Sequence, residues 1–318
     1  MLYLLLSGAL CYFYYKKIVV AADFSSPNSI LSVQSFETVK PYQFRLLVPL
    51  IFMLFKPLTF IPEKIIFIIY NVVIVYFIVI VYHKFLSEYF QNRKAILFLA
   101  PAILYPILWN YVILNQSFQF YDFTAILIFT LGLYFIVKEN FKFLLIVFIV
   151  GLINKETIIY LLFAYLLFNY KIIFTKKIIL NSLFLSALFL GYKLFLGYVF
   201  RNNPGDPFEI GFAVNMKILE DLPHNRIYQK NLMLNFGAIY IFVLLLFITG
   251  RWKKFPDRRK TYMNLAFIPY ILLGVYITYF TEVRVYTELI PMVTTLFIIY
   301  LSTFKKFNIQ PITANGKG

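Results

Sequence analysis

The chain has 318 residues, of which 61% are apolar, 21% aromatic and only 14% charged, with 30 Lys and Arg against 14 Asp and Glu. Soluble chains carry about 25% charged residues, so a mean hydropathy of +0.78 excludes an ordinary globular domain and predicts helices solvated by lipid. The net charge of +16 would suggest nucleic acid in a soluble protein, whereas in a membrane protein it marks loops retained in the cytoplasm, so no nucleic-acid partner is expected. One cysteine, Cys11, excludes an intramolecular disulfide, and two histidines, His83 and His224, are too few for an imidazole metal centre.

Eleven apolar stretches follow in chain order: 2–20, 44–62, 65–82, 95–113, 121–137, 143–153, 157–170, 178–200, 231–250, 262–280 and 285–303. All are expected to be helical, because lipid offers the backbone no hydrogen-bond partner and these continuous runs lack the alternation of a barrel strand. The first lacks a basic leader region and reads as an uncleaved helix. In the second, Arg45, Lys56, Pro49 and Pro57 disfavour a full crossing, and a re-entrant or interfacial helix is preferred to a true span. Stretches 143–153 and 157–170 flank Asn154, Lys155 and Glu156. Three polar residues at the centre of one span cost more than the flanking Leu and Ile recover, so two short helices are expected. The expected fold is an all-α polytopic bundle of about ten transmembrane helices plus the re-entrant helix. It forms one integral-membrane domain over 1–318, with a first external loop and re-entrant segment at 21–64, an external loop at 201–230 and a cytoplasmic tail at 304–318.

Orientation follows from the loop carrying Arg251, Lys253, Lys254, Arg258, Arg259 and Lys260 against the single acid Asp257, which is placed in the cytoplasm and against anionic headgroups. Lys84, Arg93, Lys94, Lys171, Lys176 and Lys177 then fall on the same side. Most of the acids fall on the other, in the 201–230 loop (Asp206, Glu209, Glu220 and Asp221) and in four polar clusters. The first runs from Asp23 through Glu37, Lys40, Tyr42 and Gln43 to Arg45; the second contains Gln119, Tyr121 and Asp122. The third is Asn154, Lys155, Glu156 and Thr157, and the fourth holds Glu282, Arg284, Tyr286, Thr287 and Glu288. Ionised groups at the ends of apolar spans are costly, and convergence at one rim is the main functional signal. The plainer alternative is that they are local ion pairs of short loops. His224 reads as a solvated loop residue, and Trp109 with Tyr111 as part of the interfacial aromatic belt.

Arg and Lys at headgroup depth suit a lipid-linked phosphate, and a carboxylate near an aqueous acceptor suits deprotonation of a hydroxyl. In this layout the chain resembles the GT-C class of integral-membrane glycosyltransferases. The resemblance rests on a first helix followed by an external loop with Asp23, on the stretch Pro41-Tyr42-Gln43-Phe44-Arg45-Leu46-Leu47-Val48-Pro49, on Tyr121-Asp122 opening a span, and on Gly151-Leu152-Ile153-Asn154-Lys155-Glu156-Thr157 between paired helices. It covers the layout of about the first 170 residues. Where many members carry paired acids in the first loop, Asp23 is here followed by Phe24. The resemblance implies inverting transfer of a sugar from a polyprenyl-phosphate donor to an extracytoplasmic acceptor, at a bacterial plasma membrane. Asp23 would be the general base, and Arg45, Lys155 and Arg284 would hold the donor phosphate. Asp122, Glu156, Glu282 and Glu288, with Tyr42 and Asn154, would orient the acceptor or support the cations. No cofactor and no metal ligand set are assigned, although external carboxylates are of the type that hold Mg2+ or Mn2+. The competing readings are a cell-envelope polysaccharide polymerase or ligase, which would call for a loop richer in Arg than 201–230, and a small-solute or lipid transporter, which would use the 154–156 break as its binding site.

Overall fold

The computed structural model describes residues 1–20, 29–57, 60–114, 119–206, 211–277, 282–304 and 309–312, with the side chains of Val275, Ile277, Val283 and Arg284 left out. The described residues are helical, with one isolated bridge between Phe90 and Pro311. The chain begins with α1 (Leu2–Tyr14), which continues as a π turn (Tyr15–Val19). Two short helices, α2 (Ile30–Gln34) and α3 (Leu47–Met53), precede the long α4 (Glu63–Leu86). Helix α5 (Arg93–Leu99) passes through a 3-10 turn and α6 (Leu104–Ile107) into a second π turn (Leu108–Ile113). The central layer is α7 (Asp122–Val137), α8 (Phe141–Asn154) and α9 (Tyr160–Phe168), flanked by α10 (Lys176–Val199). The remainder is α11 (Phe212–Asp221), α12 (Arg226–Leu234), α13 (Ile239–Ile248), α14 (Arg258–Asn264), α15 (Phe267–Ile277) and α16 (Ile290–Ser302).

Among the described residues, five helical segments are long and apolar enough to cross a membrane: 63–86, 93–113, 176–199, 226–248 and 285–302. Three shorter apolar helices, 122–137, 141–154 and 156–168, accompany them. The 226–248 segment is itself broken, since Phe236, Gly237 and Ala238 all take positive φ. Tyr105 sets that break: its hydroxyl donates to the Gly237 carbonyl at 3.1 Å, and its ring lies 2.4 Å from where a Cβ at 237 would stand.

Starts are written in the sequence. Asn92, Asn140, Asn225 and Asp257 each accept from a backbone N–H of the first turn of α5, α8, α12 and α14, capping donors that have no partner in the helix. Apolarity on all sides lets α7 sit at the centre, with Phe123, Ile126, Phe129, Leu133 and Ile136 buried between α4, α8 and α9. At Gly132 a Cβ would stand 2.2 Å from Leu161 Cδ1, so the missing side chain is what allows α9 to lie so close. By contrast α10 is largely uncovered, with Leu183, Phe184, Leu194, Phe195 and Tyr198 exposed.

The bundle has two chemically distinct ends. At one, Lys138 pairs with Glu88 at 2.8 Å, Arg259 with Glu139 at 2.9 Å, and Lys260 with Asp257 at 3.4 Å, while the Gln91 amide donates to Gln310 and the Ile312 amide to Tyr89. The basic 251–260 segment is thus built into the bundle: Lys260 is buried, donating to the Glu88 carbonyl, and Arg259 donates to the Phe168 carbonyl. Helix α1 starts at this end, where Tyr3 meets His83, and runs to the other, where Lys17 donates to the Val112 carbonyl. Lys64, in the first turn of α4, donates to the Val20 carbonyl, so α4 starts where α1 finishes. Residues 44–57 both arrive and remain at that end, and the seven residues of α3 span only about 10 Å.

Candidate functional site

The end opposite the basic rim gathers ionised side chains from four distant parts of the sequence: Arg45, Asp122, Lys155 with Glu156, and Glu288. Helix α8 finishes at Asn154, where the Lys155 amide donates to the Gly151 carbonyl at 2.9 Å, and Lys155 is extended (φ −163°, ψ 139°) before a 3-10 turn, Glu156–Ile159, leads into α9. The two short helices expected around 154–156 are therefore present. Fold-back needs Gly151, because a Cβ there would meet Ile158 Cγ1 at 2.4 Å. The extended residue puts consecutive side chains on different sides, separating Lys155 from Glu156.

Lys155 faces the core. Its Nζ lies 2.7 Å from Glu288 Oε1 and 3.6 Å from Asp122 Oδ1, with the side chains of both acids 1% exposed and that of Lys155 8%. Glu288 is held further by the Thr157 hydroxyl, which donates to Oε1 at 2.8 Å, and by Tyr270, whose hydroxyl is 3.0 Å from Oε2 and donates to the Val285 carbonyl at 2.8 Å. Asp122 faces Tyr111 as well, and the Tyr111 hydroxyl donates to Thr287 Oγ1 at 3.3 Å. Burial alone would lower the Lys155 pKa; Glu288 and then Asp122 outweigh it and raise it, so the ammonium is retained.

Glu156 turns the other way. Arg45 Nη2 lies 2.9 Å from Glu156 Oε1, and Arg45 Nη1 donates to the Tyr121 hydroxyl. The guanidinium is stacked between aromatic faces, 4.4 Å from the Tyr121 ring centre and 5.0 Å from that of Tyr42. Desolvation opposes its charge, but Glu156 and Tyr121 overcome this and raise its pKa. The two halves are joined through residue 121: Asn154 Nδ2 donates to the Tyr121 carbonyl at 3.3 Å, and Lys155 Nζ is 5.4 Å from the Tyr121 ring centre. The Leu46 amide, donating to the Ile153 carbonyl at 2.9 Å, fastens the Arg45 segment to the end of α8.

Of the residues singled out in the sequence, Tyr42, Arg45, Asp122, Asn154, Lys155, Glu156 and Glu288 meet here. Asp23 and the Arg284 side chain lie outside the described residues. Glu282 is half-buried and stands ahead of a 3-10 turn, Val283–Leu289. With three residues per turn there, positions 284 and 288 are about 120° apart around the helix axis. Gln34 and Gln43 serve the first loop itself, donating to the carbonyls of Pro49 and Val33 at 2.9 and 3.1 Å. The 201–206 segment closes over that loop, with Asn203 donating to the Thr38 carbonyl and the Lys40 amide donating to Pro204.

Three contributors were missed. Tyr111, expected in the aromatic belt, is fully buried beside Asp122. Tyr270 gave no polar signal in its apolar stretch. Lys193 did give one, as a lone ammonium within an apolar helix. It lies 4.9 Å from the Phe44 ring centre and acts electrostatically on both Glu156 and Arg45. It also lines a small pocket with Phe44, Leu152, Glu156, Phe189 and Tyr192. Among the described residues, no group of three or more His, Cys, Asp and Glu is placed to hold a metal. Comparison with protein-family models, with curated proteins and with solved structures finds no match for the chain.

Proposed function

We propose that the protein is a membrane glycosyltransferase, similar in layout to the GT-C class, that moves a sugar from a polyprenyl-phosphate donor to an extracytoplasmic acceptor. In this reading about ten helices cross a bacterial plasma membrane, and the basic rim lies in the cytoplasm, where Lys and Arg are retained. The observation that carries the proposal is the cluster of Arg45, Lys155, Asp122, Glu156 and Glu288, drawn from distant segments, at the end of the bundle away from that rim.

Transfer with inversion forms a bond from the acceptor oxygen to the anomeric carbon while the bond from that carbon to the phosphate oxygen breaks. The acceptor proton passes to a carboxylate, assigned to Asp23, and the departing polyprenyl phosphate takes up negative charge. Arg45, Lys155 and Arg284 supply the fixed positive field that stabilises the departing charge where water is scarce. Asp122 and Glu288 hold Lys155, Glu156 and Tyr42 hold Arg45, and Asn154 fixes the Tyr121 backbone between the two halves. Glu282 completes the acceptor side.

One observation favours a second reading. A helix interrupted at an extended residue, with a buried cation between two carboxylates, also suits a transporter binding site. Reconstitution separates the two. Proteoliposomes given a polyprenyl-phosphate sugar and a hydroxyl acceptor are expected to form a glycosidic product, and to lose it in Asp23→Asn and in Arg45→Gln. Product that persists in Asp23→Asn refutes the assigned base, and solute flux without product refutes transfer.

A further inference from the structure

The Arg45–Glu156 pair is not confined to the core. Glu156 opens on its other side into the pocket shared with Lys193, Phe44 and Tyr192. Lys193 is carried by α10, whose outer surface presents Leu190, Leu194, Phe195 and Tyr198 to the surroundings. Six residues separate it from the end of α10 at Val199, about 9 Å along the axis. That depth places the ammonium near the boundary between acyl chains and headgroups, within the reach of a long side chain. Tyr42 and Tyr121 stack on Arg45, and Phe44 lies under Lys193, so both cations rest on aromatic faces and converge on one carboxylate.

The arrangement is that of a cation pair occupied by an internal anion. Lys155, by contrast, is already shared by two carboxylates, and the small pocket it lines is walled by α7 and the end of α8 (Ala125, Ile128, Phe129 and Gly151) rather than by the exposed α10. We propose that Arg45 and Lys193 form the binding site for a lipid-borne phosphate that enters sideways between α10 and the end of α8, and that Glu156 occupies this site until the phosphate displaces it. The inference rests on the transferase reading, and adds to it the entry route, Lys193 as a binding residue and Glu156 as the displaced group. Phosphate is the shared chemistry of a lipid headgroup and a free ion. The exposed apolar face of α10 beside the pocket is what favours the lipid.

Titration of the protein in nanodiscs with farnesyl phosphate, with farnesol and inorganic phosphate as comparisons, tests this directly. Farnesyl phosphate should bind well above farnesol. Lys193→Met should weaken it at least tenfold while leaving farnesol unchanged, and Lys193→Arg should restore most of the affinity. Glu156→Gln should act in the opposite direction and tighten binding several-fold, because the competing carboxylate is gone. A purely structural pair would weaken binding on either change; loss in Glu156→Gln with retained thermal stability, or an unchanged affinity in Lys193→Met, overturns the proposal. Competition by inorganic phosphate at concentrations equal to those of farnesyl phosphate overturns lateral entry from the bilayer. Binding is scored without product formation, so a failed transfer assay and a failed binding assay are distinguishable.

Discussion

Substituting Lys155 with Met removes the cation that, among the described residues, pairs with both Asp122 and Glu288. Both carboxylates are 1% exposed, so neither can be rescued by water, and one must take up a proton or the two must separate. Breaking a buried pair from one side costs about 3–5 kcal/mol. Glu288→Gln is different in kind, because Lys155 keeps Asp122 at 3.6 Å and the amide oxygen still accepts from Thr157 or Tyr270. Its cost is that of one charge-assisted hydrogen bond, about 1.5–3 kcal/mol, reduced by the contacts that remain. Cys11 is the only thiol and is fully buried, so its reaction with a thiol-specific fluorophore on heating reports unfolding in detergent. At roughly 2 °C per kcal/mol for a chain of this size, Lys155→Met should lower Tm by about 6–10 °C and Glu288→Gln by about half that or less. Adding Asp122→Asn to Lys155→Met should recover part of the loss. A larger loss in Glu288→Gln than in Lys155→Met, or no recovery in the double variant, would refute the charge arithmetic.

Three further outcomes are expected. Gly132→Ala places a Cβ 2.2 Å from Leu161 Cδ1 and should cost about 1–3 kcal/mol by overpacking, with Leu161→Ala in the same chain restoring part of it; an additive loss would show that the contact does not limit α7 and α9. Tyr270→Phe removes a donor shared between Glu288 and the Val285 carbonyl and should lower stability by about 1–2 kcal/mol, read in the same assay, with no change expected in Tyr276→Phe on the exposed face of α15. The Lys155 pKa is raised above its ordinary 10.5, so the stability it contributes is complete below the unfolded value and is lost only as pH rises through the higher folded one. A pH series of Tm in wild type against Lys155→Met should show a difference that does not shrink from pH 7 to 9, since a carboxyl protonated in the variant only widens it as pH rises, and that falls only above about pH 10.5; a difference that shrinks near neutrality would contradict a charged Lys155.

What the sequence reveals is set by the kind of signal each residue carries. The membrane class follows from continuous Ile, Leu and Phe runs, and the break at 154–156 from three polar residues that lipid would penalise together. The expectation that 44–62 is re-entrant or interfacial rests on Arg45, Lys56, Pro49 and Pro57, and the described residues of this stretch lie at one end of the bundle. Arg45, Asp122, Glu156 and Glu288 stand out because ionised groups are scarce, yet their pairing is a matter of three-dimensional packing: Lys155 goes to Glu288 rather than to its neighbour Glu156 because residue 155 is extended. Tyr111 and Tyr270 are silent in a chain with 26 tyrosines, since nothing in a one-dimensional pattern distinguishes a buried hydroxyl from an interfacial one. Lys193 was legible as an ammonium inside α10, and only its distance from the other polar clusters in sequence concealed it. The 3-10 winding of 283–289 was not legible, because local propensity separates 3-10 from α-helix poorly and Pro291 at the start of α16 permits either.

In the proposed transferase the charge cluster works from the outer face while the basic rim stays in the cytoplasm. Exposed positions report each end: Asn202 follows α10 beside the cluster, and Lys254 lies on the rim. In a Cys11→Ala background, intact cells expressing Asn202→Cys or Lys254→Cys would be treated with a membrane-impermeant maleimide. Labelling of position 202 in intact cells, and of position 254 only after the membrane is opened, is the expected result. Labelling of 254 and protection of 202 in intact cells would place the cluster in the cytoplasm and contradict the account.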